Sequence, residues 1–197
     1  ISIGLSAENG PDLLPVHAAV QYAKSHDVVI VAAAGNDAEF GSPPAAPALF
    51  EEVIAVAATQ NREVAPFSNR NSYVDIATDG VDVLSSALGG GSLRMSGTSM
   101  ASPRVAAIAA GLRALNPTWT ADDIKDHLLA TANDRGAIGP DPVYGFGEMS
   151  THRAFTTVLS RPTGQMPPAA ITKVKVKSAV GGSTITSPQG SVFVKYP

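Results

Sequence analysis

A serine placed where a glycine turn enters a helix has the raw materials of a nucleophile. Its hydroxyl is exposed, the backbone N–H groups beside it lack helical partners, and the positive end of the helix dipole lies beneath it. Ser99 occupies such a place. It lies in Arg94-Met95-Ser96-Gly97-Thr98-Ser99-Met100-Ala101-Ser102-Pro103, between the triplet Gly89-Gly90-Gly91 and an alanine-rich apolar run from Val105 to Leu115. A reaction that develops negative charge on oxygen would be stabilised there. Serine is also a favoured helix cap, so position alone leaves a chemical and a capping role open. Asn36 is the second residue of interest. It follows the apolar run Val28-Val29-Ile30-Val31-Ala32-Ala33-Ala34 and Gly35. Its side-chain amide would donate to an oxyanion there, or Gly35-Asn36 would simply turn the chain.

The elements that carry these residues read as a βαβ unit followed by further strands and helices. Ile1 to Leu5 is a short apolar strand with no leader and no initiator methionine, as expected of a processed or excised product. Residues 6–12 form a polar loop around Gly10-Pro11. Val16, Ala19, Val20 and Ala23 recur at helical spacing and predict an amphipathic helix over 13–26. The run 28–34 opens with β-branched residues and is expected to be a parallel strand covered on both faces. Ligand sites of such sheets lie at the carboxyl ends of the strands, where Asn36 falls. A strand is expected at Val53–Ala58. A hairpin is expected from Val81–Ala87 and Ser92–Met95, turning about Leu88 and the glycine triplet. A helix follows from about Ser99 to Asn116, with Ala106, Ala107, Ala109, Ala110 and Gly111 expected to bring it close to the sheet. Pro103 is tolerated in its first turn. Thr120 and Asp123 predict a capping box for the next helix, whose buried side carries Ile124, Leu128 and Leu129. A last helix is expected over 151–159. Past a proline-bearing linker, Arg161 to Pro168, residues Ile171–Lys177 alternate with period two. With Val192-Phe193-Val194 they predict a small β-hairpin or the start of a further β domain. The domain reading is therefore residues 1–160 and an appendage over 161–197.

Composition narrows the function classes. The chain has 197 residues, enough to bury a substantial core. Charged residues make up 16%, the formal net charge is −3, and no basic cluster occurs, which argues against a nucleic-acid partner. There is no cysteine, so disulfides and thiolate metal sites are excluded. No apolar run approaches the length of a membrane span.

Gly97-Thr98-Ser99-Met100-Ala101-Ser102-Pro103 resembles the nucleophile signature of the subtilisin-like serine proteases, the subtilases of peptidase family S8. Val31-Ala32-Ala33-Ala34-Gly35-Asn36 resembles the segment whose Asn completes the oxyanion hole in that family. Pro47-Ala48 ahead of the 53–58 strand, Phe67-Ser68-Asn69, Val74-Asp75-Ile76-Ala77, Asn116-Pro117-Thr118-Trp119-Thr120 and Tyr144-Gly145-Phe146-Gly147 follow in family order. The chain departs from the pattern at three places. Thr78-Asp79-Gly80 stands where Ala-Pro-Gly is usual, Arg104 where His follows the proline, and Glu148-Met149-Ser150 after the closing glycine motif.

The resemblance implies an α/β fold, a parallel-sheet subtilisin-like three-layer sandwich, partial over residues 1–159, with the short β-rich appendage behind it. It implies a serine endopeptidase with Ser99 as nucleophile, the Ser99 N–H and Asn36 as oxyanion donors, and an acyl-enzyme intermediate. Gly4, Leu5 and Ser6 would line one wall of the substrate cleft, and Ala33, Ala34 and Gly35 the other. The substrate would be an extended peptide or protein, with a broad apolar or aromatic preference, and a propeptide or protein inhibitor would be a further partner. Secretion is implied in the same way. No cofactor is required. A structural calcium ion is suggested at Asp75 with carbonyls near Ala48, Phe50 and Val53; the other reading of Asp75 is a solvated or helix-capping carboxylate.

The family order along the chain is Asp, His, Ser. No His-Gly-Thr-His-type segment occurs here, and His17, His26, His127 and His152 all lie in helical contexts. The expected partner is therefore an amino-terminal segment or chain carrying the Asp and His, or a second copy that covers the first strand. Two other readings stand beside this one. An α/β-hydrolase would use Ser99, Asp134 and His152 in that order, although the second glycine of its nucleophile elbow is absent. A catalytically inactive pseudoprotease or peptide-binding domain would keep the cleft without the chemistry.

Overall fold

The computed structural model describes residues 1–8, 13–159, 183–187 and 190–194. Its elements are β1 (Ser2–Ile3), β2 (Ala7–Glu8), α1 (Leu13–Ser25), β3 (Val31–Ala33), β4 (Ala45–Ala46), β5 (Ile54–Gln60), β6 (Glu63–Val64) and β7 (Ile76–Asp79). They continue with β8 (Val83–Ser86), β9 (Ser92–Met95), α2 (Thr98–Leu115), α3 (Ala121–Ala130), α4 (Thr151–Leu159), β10 (Ser183–Ser187) and β11 (Gly190–Val194).

The central sheet runs β1-β3-β5-β7, all parallel, with Ser2 opposite Val31, Val31 opposite Ile54, and Val56 opposite Ile76. The short β6 turns back antiparallel on the end of β5. Period-two alternation decides which side chains meet which layer. Val31, Ile54, Val56, Ala58 and Ile76 face a cluster with Ala101, Val105, Ala109 and Leu112 of α2 and Ile124 and Leu128 of α3. The intervening Ala32, Ala55, Ala57 and Ala77 face the other side, where Val20 of α1, Phe50, Val53, Tyr73 and Tyr144 pack. Helices thus cover both faces, as the three-layer expectation required, and β3 is buried throughout.

Local differences from expectation have local causes. The strand predicted over 28–34 forms a ladder only at 31–33. Its opening residues close α1 instead: Val28 N–H donates to Ala23 O at 3.1 Å, across Asp27 at φ 58°. Of the small residues on α2, Ala109 belongs to the sheet-facing cluster and Ala106 packs against it, while Ala107 and Ala110 are exposed. Gly111 serves another contact, because a Cβ there would stand 2.8 Å from the Phe155 ring of α4. The capping box of α3 forms in both directions. Asp123 N–H donates to Thr120 Oγ1 at 3.1 Å and Thr120 N–H to Asp123 Oδ2 at 2.8 Å, an arrangement worth about 1 kcal/mol. β10 and β11 pair antiparallel; the strand expected at 171–177 lies outside the described residues.

Candidate functional site

The nucleophile region is built at the carboxyl ends of β3 and β7. Beyond β7, Gly80 N–H donates to Thr59 O at 2.9 Å, and Gly97 N–H donates to Gly80 O at 2.8 Å. The antiparallel β8–β9 hairpin, with Val83 opposite Met95, spans the interval and delivers the chain to Gly97. The predicted strand from Val81 starts at Val83, because Asp82 adopts φ 53° and its N–H donates to Ser96 Oγ at 2.9 Å. Close approach requires a glycine at position 80, where a Cβ would lie 2.7 Å from Gly97 O and 2.8 Å from Ala58 Cβ.

Gly97 occupies the N-cap position of α2 and has no side chain of its own to cap it. Ser99 therefore lies within the first turn. Its N–H has no intramolecular acceptor among the described residues, and its hydroxyl donates to Gly4 O at 2.5 Å. Gly4 brings the end of β1 against the serine; a Cβ at Gly4 would stand 3.4 Å from Ser99 Cβ.

Asn36 follows β3 and is oriented by Thr98. The Thr98 N–H donates to Asn36 Oδ1 at 2.8 Å and the Thr98 hydroxyl donates to the same oxygen at 2.9 Å. A backbone N–H can only donate, so the oxygen of the amide is the atom turned to Thr98 and Nδ2 is left as a donor. A methyl group placed on Gly97 would stand 3.6 Å from Asn36 Nδ2 and 3.7 Å from Ser99 N. The two donors frame one small space, and the absence of a side chain at Gly97 keeps it open. Two N–H donors converging beside a serine hydroxyl are what an oxyanion needs. Thr98 did not stand out in the sequence, since its partner lies 62 positions away.

The expected cleft residues leave adjacent strands. Gly4 is half-buried, whereas Leu5 and Ser6 are exposed. On the β3 side, Ala33, Ala34 and Gly35 are buried. The Ala34 backbone is fully used: its N–H donates to Val56 O at 2.9 Å, and its carbonyl accepts from Tyr73 OH at 3.0 Å and Asn69 Nδ2 at 3.1 Å. Burial pushes the Tyr73 phenol upward, which keeps it a donor.

None of the four histidines is hydrogen-bonded to Ser99. His17 Nε2 meets the Glu52 carboxylate at 3.2 Å and its ring stacks on Phe50. His26 contacts Tyr22 O, and His127 is buried against Ala154 O. His152 is exposed at the start of α4. Asp134 accepts from Gly139 N–H at 2.9 Å. Asp75 is neither solvated nor a helix cap. It is fully buried, accepts from Ala55 N–H at 2.9 Å and lies 3.6 Å from Lys125 Nζ. Burial pulls the Lys125 ammonium down to about 8. Two family departures meet: Arg104 Nη2 stands 3.6 Å from Asp79 Oδ2.

Comparison with known proteins agrees with this fold. The model of the subtilase family matches residues 1–147. Subtilisin BL of Lederbergia lenta is 38% identical over 137 residues, covering 69% of this chain and 49% of that protein. Subtilisin of Bacillus pumilus is 34% identical over 157 residues, covering 78% and 55%. The chain thus spans about half the length of these curated relatives. Among solved structures, a protease from Pseudoalteromonas arctica PAMC 21717 is 28% identical with a TM-score of 0.70, covering 80% of this chain and 50% of that one. A lanthipeptide protease shares the fold at 21% identity and the same TM-score.

Proposed function

This chain belongs to the subtilase family, and on that premise we propose that it is the nucleophile-bearing part of a serine endopeptidase. Ser99 attacks the scissile carbonyl. The developing oxyanion is held by the Ser99 N–H and Asn36 Nδ2, and an acyl-enzyme forms and is hydrolysed. The observation that carries this reading is the fixed Asn36 amide, turned by Thr98 so that its Nδ2 shares a space with the Ser99 N–H. The oxyanion site supplies stabilisation without a base. In the Ser-His-Asp template of subtilisin, loss of Ser or His costs roughly a million-fold in turnover. The His that takes the Ser99 proton and the Asp that orients it therefore belong to an amino-terminal segment or a separate chain. Docking of the His must draw the Ser99 hydroxyl from Gly4 O, which it now contacts.

The substrate is an extended peptide entering between Gly4-Leu5-Ser6 and Ala33-Ala34-Gly35. A propeptide or protein inhibitor would bind the same cleft. Family membership supports secretion as the compartment, and no helix among the described residues is long and apolar enough to cross a membrane.

The test is labelling of the full-length protein with a serine-reactive fluorophosphonate, followed by mass mapping. Ser99 carries the label in the wild type, and S99A carries none. Absence of label at Ser99 in folded full-length protein would sink the protease reading and leave the peptide-binding pseudoprotease in its place.

A further inference from the structure

At the amino-terminal ends of β5 and β7, a second polar site is built from three oxygens around one point. Asp75 is fully buried and hydrogen-bonded to Ala55 N–H. The loop over residues 47–53 is turned by Phe50 N–H to Pro47 O at 3.0 Å and Val53 N–H to Phe50 O at 3.1 Å. Lys125 of α3 reaches this loop with a side chain only 12% exposed. Its Nζ donates to Val53 O at 2.8 Å and to Glu51 O at 2.9 Å, and stands 3.6 Å from Asp75 Oδ2.

This is no loosely held surface lysine. The start of α3 is fixed by its capping box and by Ala121 N–H donating to Asp27 Oδ1 at 2.5 Å. Two carbonyls and a carboxylate oxygen converging on one point are an environment that a hard cation takes. Here the point holds an ammonium group. The calcium expected at Asp75 does not fit this arrangement. While the lysine is present, the cradle already contains a positive charge that repels a second cation.

We propose that the Lys125 ammonium is the resident cation of this cradle: it ties the 47–53 loop to Asp75 in place of a metal ion, and the same oxygens accept a free cation only when the lysine side chain is removed. The charge balance is kept either way, since burying the Asp75 carboxylate without a counter-charge is costly.

The experiment counts bound calcium in the full-length protein by calorimetric titration. Wild type and D75N bind the same number of ions, K125A binds one more, and K125A/D75N returns to the wild-type number. Loss of one equivalent in D75N with Lys125 present overturns the proposal, as does a folded K125A that gains none. A second measurement needs no variant. Amine-reactive labelling of Lys125, read by mass mapping, should be equal in millimolar calcium and in chelator. A rise of severalfold in calcium would mean that the ion displaces the lysine, and the proposal fails.

Discussion

Asn36 Oδ1 accepts two hydrogen bonds from one residue, Thr98: its N–H at 2.8 Å and its hydroxyl at 2.9 Å. The same Thr98 hydroxyl accepts from Gly35 N–H at 3.2 Å. One buried threonine therefore joins the end of β3 to the start of α2 and determines which end of the Asn36 amide faces the site.

If Asn36 holds the oxyanion as proposed, N36A in the full-length protein should lower kcat about 100- to 1,000-fold with little change in KM, the usual cost of an oxyanion donor. T98V keeps the backbone bond but loses the hydroxyl and strands the Gly35 N–H. It should lower kcat about 10-fold and stability by roughly 1–3 kcal/mol. T98S should restore both. Steady-state kinetics and denaturant unfolding of the three variants check this, and equal kcat in T98V and T98S would refute the positioning role.

Gly35 is a second point where backbone geometry carries the site. It adopts φ 107°, and a Cβ there would collide with the Asn69 amide. That amide is fully engaged, donating to Ala34 O and Pro43 O and accepting from Asp37 N–H at 2.7 Å. G35A must strain the backbone and displace Asn69, so a loss of about 2–4 kcal/mol is expected. A thermal unfolding midpoint unchanged from wild type would contradict it.

Coverage of both sheet faces was legible at β3 because Val28 to Ala34 is a continuous apolar run, and the layers came from the family resemblance; the alternation of large and small residues shows only in the structure. Val31, Ile54, Val56 and Ile76 fall on one face and Ala32, Ala55, Ala57 and Ala77 on the other. Ser99 and Asn36 were legible because each lies in a short contiguous motif. Lys125 was not, since a lysine between Asp122, Asp123 and Asp126 on an amphipathic helix reads as part of a solvated face. Its role depends on two carbonyls more than seventy positions earlier, and carbonyl directions have no signature in side-chain identity. The reading of Asp75 as a solvated or helix-capping carboxylate fails on its burial, for the same reason.

Asp27 should carry part of the acid sensitivity of the fold. Its carboxylate accepts from Arg113 Nη1 at 2.6 Å and from Ala121 N–H, and these bonds hold it below the usual carboxylate range. A depressed folded pKa means that the contribution is present above the unfolded value near 4 and is lost as the pH falls through the folded value. D27N keeps the shape and tolerates φ 58°, since Asn readily adopts the left-handed region. The unfolding midpoint of wild type should therefore drop more than that of D27N between pH 5 and about pH 3. Parallel curves would show that the carboxylate contributes nothing.

Asp79 and Arg104 test whether two departures from the family pattern are one change. Asp79 ends β7, Arg104 follows Pro103 in α2, and their charged groups are 3.6 Å apart with side chains 52% and 46% exposed. Such a pair is screened by solvent, so a double-mutant cycle with D79A and R104A should give a coupling of about 0.2–1 kcal/mol. That coupling should shrink toward zero in molar salt, where the screening length falls to about 3 Å. The proposed activity of the full-length protein should stay within twofold of wild type in R104A, because neither side chain is hydrogen-bonded to Ser99 or Asn36. Strictly additive single effects at low salt would mean that the two substitutions are independent, and that each needs its own account.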